Sequence, residues 1–163
     1  MARPDSDVNI TPTVLDRLLD DRPMVTREPV PDRFQTLSQL RRSVTRDLDA
    51  LLNSRQEALD ELPSDFEEVG RSLLIYGLPD FTALGPRSAN DRNRVRRALE
   101  TAIATFEPRL ERVRVTLQPG REHEQTLRFH IDAMLRVEPA PEPITFDAVL
   151  QLNTQQYTVH RRE

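Results

Sequence analysis

Apolar positions follow helical spacing through the first two thirds of the chain and strand spacing in the last third. Leu37, Leu40, Val44, Leu48, Leu51 and Leu52 fall on one face of a helix predicted over residues 35–54. Val95, Ala98, Leu99, Ala102, Ile103 and Phe106 do the same for a helix over 91–106, with capping residues between Ser88 and Asp91. The period then changes. Val113, Val115 and Leu117 alternate with Arg112, Arg114 and Thr116, which predicts a strand over 110–118. Leu127, Phe129, Ile131, Ala133, Leu135 and Val137 alternate over 125–137. Phe146, Ala148, Leu150 and Leu152 predict a third strand, and Tyr157 with Val159 a short fourth. Helices first and meandering strands last predict an α+β fold, in which N-terminal helices pack on a small, mainly antiparallel C-terminal sheet.

Between these elements the punctuation is Pro and Gly. Pro63 breaks the chain, and Ser64 caps a short turn through Phe66 and Val69. Leu73-Leu74-Ile75 is an apolar run of ambiguous type, followed by a turn at Gly77. Gly85-Pro86 and Pro119-Gly120 are further breaks, and 138–143 reads as a stiff extended connection. Near the start, Thr11 caps a helix with Pro12 in its first position, and Val14, Leu15, Leu18 and Leu19 form an apolar stripe. Such a helix, about nine residues long, is marginal alone in water. Pro23, Pro29 and Pro31 make 21–34 an extended linker. The organisation expected is therefore an extension over 1–34, with a short partner-docking helix, and a compact domain over 35–163. Two readings of the short helix stay open: docking on a partner, or folding back on its own domain.

Where helix gives way to strand lies Phe106-Glu107-Pro108-Arg109-Leu110. Pro108 disfavours α conformation at Glu107 and helps end the helix. Glu107 sits at the negative end of the helix dipole, a poor place for a carboxylate. Arg109 offers a planar fork of donors suited to a bidentate partner.

Composition narrows the chemistry. There is no Cys, so no thiol is available to attack a substrate, bind metal or form a disulfide. No apolar run predicts a signal peptide or a membrane span. All 23 basic residues are Arg, which favours bidentate pairing at interfaces, and the net charge of −4 argues against general attraction to nucleic acid.

The Glu-Pro-Arg triplet after a helix resembles the motif of the phage baseplate wedge family and its type VI secretion (TssE) branch. Thr11–Asp20 resembles that family's Leu-Asp-Arg-Leu helix. Residues 40–55 are similar to its basic helix ending Leu-Leu-Asn-x-Arg, and Ser72–Asp80 resembles its Ser-x-x-x-Tyr-Gly-Leu-Pro-Asp loop. The resemblance covers the chain from about residue 11 onward. It implies a structural, non-enzymatic subunit in the cytoplasm, at the baseplate associated with the inner membrane. The implied partners are TssF and TssG in the wedge, the TssB/TssC sheath and TssK, with no nucleic acid and no insertion into the membrane. It implies partner-binding roles for Glu107, Pro108 and Arg109, and a second anchor in Leu15, Leu18 and Leu19. Replacing Glu107 or Arg109 by Ala is expected to leave the fold intact and weaken wedge assembly.

Two alternatives stand beside this reading, one from the resemblance and one from the residues. Members of this family have carried a lysozyme-like label, and a glycosidase needs two carboxylates across a sugar. Glu107 is the available acid, but an adjacent guanidinium is poor company for a general acid, and the chain has no Trp to form a sugar platform. An Arg-rich nucleic-acid module is the other alternative, from Arg92, Arg94, Arg96 and Arg97 on one helix and Arg41, Arg42 and Arg46 on another; interleaved aromatics are missing. His123, His130 and His160 show no metal-ligand spacing, and no Gly-rich phosphate loop is present. No catalytic, cofactor or metal residue is therefore assigned.

Overall fold

The computed structural model describes residues 10–19, 24, 36–56, 67–81, 88–118, 126–151, 154 and 156–162. The segments expected to break the chain at 63–66, 85–86 and 119–122, most of the linker at 21–34, and His123 and Leu152 lie outside these residues. Among the described residues, three α-helices precede four strands: α1 (Val14–Leu18), α2 (Leu37–Asn53), α3 (Ala89–Phe106), β1 (Leu110–Leu117), β2 (Thr126–Leu135), β3 (Glu142–Gln151) and β4 (Gln156–Arg161). Leu73–Ile75, the ambiguous run, is a 3₁₀ turn capped by Ser72.

The strands pair antiparallel in the order β1-β2-β3-β4, as the alternating pattern predicts. One face of the sheet holds Phe129, Ile131, Leu135, Phe146, Ala148 and Leu150, which pack with Val44, Leu48 and Leu52 of α2 and Leu99 and Ile103 of α3 in one core. All six apolar positions assigned to α2 are buried. On α3 the burial is tighter than the pattern suggests: Val95, Leu99, Ala102 and Ile103 are buried, while Ala98 and Phe106 are half-buried at the rim.

Two connections differ from expectation. The segment 138–143 is only partly a connection, since Glu142 and Pro143 belong to β3, opposite Leu135 and Met134. Pro143 fits there because of ladder parity. The Arg162 N–H donates to the Thr145 carbonyl, so alternate residues of β3 face β4, and Pro143 shares that parity beyond the end of β4. Its missing N–H therefore removes no ladder bond. The Glu138–Pro139 bond is cis. In β1 the register shifts between Glu111 and Arg114, and Arg112 takes a left-handed φ of 54°. This is a bulge with one extra residue, which bends the strand just after the Glu-Pro-Arg turn.

Gly77 confirms the expected turn, with φ of 108°. A Cβ there would fall 2.4 Å from the Ser54 carbonyl oxygen. This close approach lets Leu78 bridge the end of α2: the Leu78 N–H donates to Ser54 O at 2.9 Å, and the Gln56 N–H to Leu78 O at 2.8 Å. The Tyr-Gly-Leu-Pro-Asp loop is thereby fixed to the end of α2.

Both outer edges of the sheet are tied down by helix side chains. On β4 the Tyr157 N–H donates to Asn53 Oδ1 at 2.9 Å, Asn53 Nδ2 donates to Tyr157 O at 3.0 Å, and the Val159 N–H donates to Asp49 Oδ1 at 3.2 Å. On β1 the Val115 N–H donates to Glu100 Oε1 at 2.9 Å, while Glu100 Oε2 accepts from Arg96. Asp49, polar and beside the leucine stripe of α2, is thus an edge cap.

Candidate partner-binding site

α3 ends where the sequence says it must. Glu107 is its C-cap, and its N–H makes the last helical bond to Ile103 O. The Leu110 N–H then donates to Glu107 O at 3.0 Å. Glu107-Pro108-Arg109-Leu110 is therefore a tight turn with Pro in the second position, where its fixed φ is favoured. The turn brings Arg109 back over Pro108 onto Glu107.

The fork of Arg109 is filled from within the chain. Its Nε donates to Glu107 Oε1 at 2.6 Å and its Nη2 to Glu107 Oε2 at 2.5 Å. The same Nη2 reaches Asp47 Oδ2 at 2.6 Å, and Nη1 reaches Ser43 Oγ at 3.0 Å. The bidentate partner anticipated for Arg109 is thus Glu107 itself, with Asp47 and Ser43 of α2 added. This explains how a carboxylate survives at a helix C-terminus: the guanidinium offsets the dipole. Glu107 is buried (4% exposed) and Pro108 is exposed. Arg109 keeps 17% of its side-chain surface open. Burial disfavours the charged guanidinium, but Glu107 and then Asp47 hold it charged, well above the ordinary arginine range.

The short helix α1 joins the same network. Its cap is Thr13, not Thr11, and it runs for five residues. The reason lies three residues on: Asp16 can return the bond to Thr13 in a capping box, whereas Val14, three residues after Thr11, cannot. The other oxygen of Asp16 accepts from Ser43 Oγ at 2.5 Å and from Arg46 Nη2 at 2.8 Å. Arg109 Nη1 lies 3.9 Å from Asp16 Oδ2. Burial opposes ionisation of Asp16, but the bonds from Ser43, Thr13 and Arg46 outweigh it and bring the carboxyl down to about 2. Arg46 also bonds Asp47 at 2.8 Å and is held charged by the two carboxylates, against its own desolvation. In this structure, then, α1 folds back on its own domain, and it does so through a carboxylate.

The apolar stripe of α1 takes no part in that docking. No residue of α1 is buried; Val14 is 73% exposed and Leu18 76%, with Leu15 and Leu19 also exposed. A second uncovered pair, Leu73 and Leu74, lies on the 3₁₀ turn just before Tyr76. Tyr76 stacks edge-on against Phe106 at 5.2 Å, and burial together with the Asp47 and Glu107 carboxylates pushes its phenol pKa up. Both exposed apolar segments are therefore anchored beside one charge node.

Sequence reasoning placed Glu107, Pro108 and Arg109 together and put Leu15, Leu18 and Leu19 on a separate anchor. It gave no partner-binding role to Asp16, Ser43, Asp47 or Tyr76, and named Arg46 only for the nucleic-acid alternative. The signals were present: Thr-x-x-Asp at 13–16, and Ser43 and Asp47 one turn apart beside the leucine stripe of α2. The histidines lie elsewhere. His130 sits on the open sheet face against Asp147 (2.8 Å) and Asp132 (3.4 Å), and His160 is exposed. Among the described residues, no group of three or more His, Asp or Glu is placed to hold a metal ion.

A family model described as baseplate wedge protein gp25 matches residues 38–140, which take in α2, α3, the Glu-Pro-Arg turn and the first two strands. Among curated proteins, the anti-adapter protein IraD of Escherichia coli strain K12 is 33% identical over 112 residues, covering 69% of this chain and 75% of that protein. IraD of Shigella flexneri matches equally, and that of Escherichia coli O45:K1 is 31% identical over the same length. A chain of the solved baseplate complex from the type VI secretion system aligns with a TM-score of 0.47 at 23% identity, covering 70% of this chain and 96% of that one. With the family model matching more than half of its length, this chain belongs to the gp25 family of baseplate wedge proteins.

Proposed function

We propose that this chain is a TssE-type structural subunit of a type VI secretion baseplate. It joins the wedge core of TssF and TssG to the first ring of the TssB/TssC sheath and helps to start sheath assembly. It works without catalysis, in the cytoplasm at the inner-membrane-associated baseplate, with TssK as a further neighbour. One observation carries the reading. In a gp25-family chain, a charge node centred on Arg109 has uncovered leucines anchored on both of its flanking segments. Apolar side chains around a partly desolvated arginine have the composition of an interface centre. The glycosidase alternative fares worse, because both oxygens of Glu107 are occupied by Arg109.

In this reading Arg109 and Glu107 meet the helical core of the wedge, and Leu15, Leu18 and Leu19 form the second anchor. The test is co-purification of TssF and TssG with tagged variants. Leu18→Asp changes an exposed side chain and keeps the fold, and it should abolish capture. Arg109→Ala should weaken it. Capture at the wild-type level by both variants rejects the reading.

Strand addition from a sheath subunit is the proposed second contact. One contrast favours the β1 edge. Val115 is its capped amide, held by the single carboxylate of Glu100, whereas β4 is clamped by Asn53 and Asp49 together. The chain has no Cys, so a single cysteine at Leu117 or at His160 reports each edge by cross-linking to TssB or TssC. Cross-links from the β1 position are expected. Cross-links from β4 alone would place the contact on the opposite edge.

A further inference from the structure

We infer that Ser43, Arg46 and Arg109 form an exchangeable carboxylate cradle, that Asp16 is its occupant in cis, and that its occupant in trans is an acidic side chain on a short amphipathic helix of a protein partner. The cradle belongs to the compact domain: Ser43 and Arg46 come from α2 and Arg109 from the turn after α3. The Ser43 hydroxyl and Arg46 Nη2 converge on one oxygen of Asp16, and Arg109 Nη1 approaches the other. The carboxylate is nearly covered, with 9% of the Asp16 side chain exposed.

What holds the occupant is equally specific. α1 itself buries no side chain; the nearest apolar anchor is Ile10, which packs against the core four residues before the helix, so within α1 the specific fixing contacts are polar. A five-residue helix has no stability of its own to add. The occupant is thus an aspartate in the first turn of a short amphipathic helix whose apolar stripe is uncovered. Any partner helix with an acid so placed presents the same group to the same donors. The node without Asp16 pairs Arg46 and Arg109 with Asp47 and Glu107, two charges against two, and leaves the buried Ser43 hydroxyl without its acceptor. An arriving carboxylate satisfies that donor and therefore competes with Asp16 for the same place. Seating a partner's acid would expel α1 in the same step. The cradle rests on the reading of Arg109 as a partner-facing group, but its test needs this chain alone.

The probe is a fluorescently labelled synthetic peptide of residues 10–20, titrated by anisotropy into the full chain. In the wild-type chain the tethered α1 occupies the cradle at high effective concentration and keeps the peptide out. In the Asp16→Ala chain the cradle is open, and the same peptide should bind at least tenfold more tightly. A peptide that itself carries Asp16→Ala should lose that gain. Equal binding to both chains, or equal binding of both peptides to the Asp16→Ala chain, overturns the inference. A second measurement needs no variant. Excess peptide should accelerate hydrogen exchange at the Arg17 and Leu19 amides of the wild-type chain, both bonded within the α1 segment. Exchange unchanged by a large peptide excess also overturns it. If the cradle fails these tests while TssF and TssG still depend on Leu18 and Arg109, the wedge reading survives alone.

Discussion

α1 and α2 begin with the same device and come to different ends. Each has a threonine N-cap in a reciprocal capping box, Thr13 with Asp16 and Thr36 with Gln39. Yet α2 runs for 17 residues with a buried leucine stripe, and α1 stops after five with none of its residues buried. Capping satisfies the first amides of a helix, but it does not decide length or attachment; apolar burial does. α1 is attached because its capping carboxylate has a second oxygen to spare, and α2 with the Arg109 turn supplies the donors. One helix is held by its buried face, and the other, beyond the packing of Ile10 ahead of it, by a single carboxylate.

The comparison breaks most visibly in the core. Leu48 is fully buried on α2, so Leu48→Ala should cost about 3–5 kcal/mol of unfolding free energy. Leu18→Ala on α1, at the equivalent stripe, should change it by less than about 0.5 kcal/mol. Urea unfolding of both variants measures the contrast. Similar losses would mean that α1 packs after all.

Glu107 comes next. Removing one partner of a buried, hydrogen-bonded pair typically costs about 3–5 kcal/mol, and Arg109 retains Asp47, so the lower part of that range is expected for Glu107→Ala. The sequence-based expectation that this variant leaves the fold intact therefore needs revision: Glu107 is a fold residue as well as a member of the candidate interface. Thermal unfolding checks it, and a melting temperature equal to wild type contradicts it.

How much of this was legible follows from the range of each cause. Periodicity placed α2, α3 and all four strands, because burial on one face writes a 3.6 or 2.0 repeat directly into the chain. The Glu-Pro-Arg turn was legible because Pro and dipole chemistry act within three residues. Ser43, Asp47 and Asp16 were not, because Asp47 and Ser43 lie 62 and 66 residues from Arg109, and Asp16 lies 27 from Ser43. Nothing local distinguishes a network acid from a solvated one. Asp49 and Glu100 were lost for the same reason: capping a sheet edge depends on where a helix crosses it.

Asp16 gives a smaller effect, confined to α1. Its folded-state carboxyl sits at about 2 against an ordinary 3.8. A depressed carboxyl stabilises the docked state above the ordinary value, and that contribution is lost as pH falls through the folded value. α1 should therefore stay docked at neutral pH and release as pH drops from roughly 4 towards 2. Asp16→Ala should release it at all pH values. Hydrogen exchange at Arg17 and Leu19 reads both, and protection that persists in the Asp16→Ala chain would show that another group holds the helix.

The smallest change concerns the sheet edge, where a helix again contributes one carboxylate and no burial. Glu100 bonds the Val115 amide through one oxygen and Arg96 through the other. It is half-exposed, so water replaces it readily once it is gone, and Glu100→Ala should cost only about 1 kcal/mol. The local effect is larger than the global one. Exchange at the Val115 amide should rise well before any other β1 amide changes, because Gln118 donates inward to Arg128 and stays protected. Glu100→Gln retains an acceptor oxygen and should restore most of the protection. If the Val115 amide exchanges at the same rate in all three chains, the helix carboxylate does not guard this edge, and β1 is open to a partner strand without displacing anything.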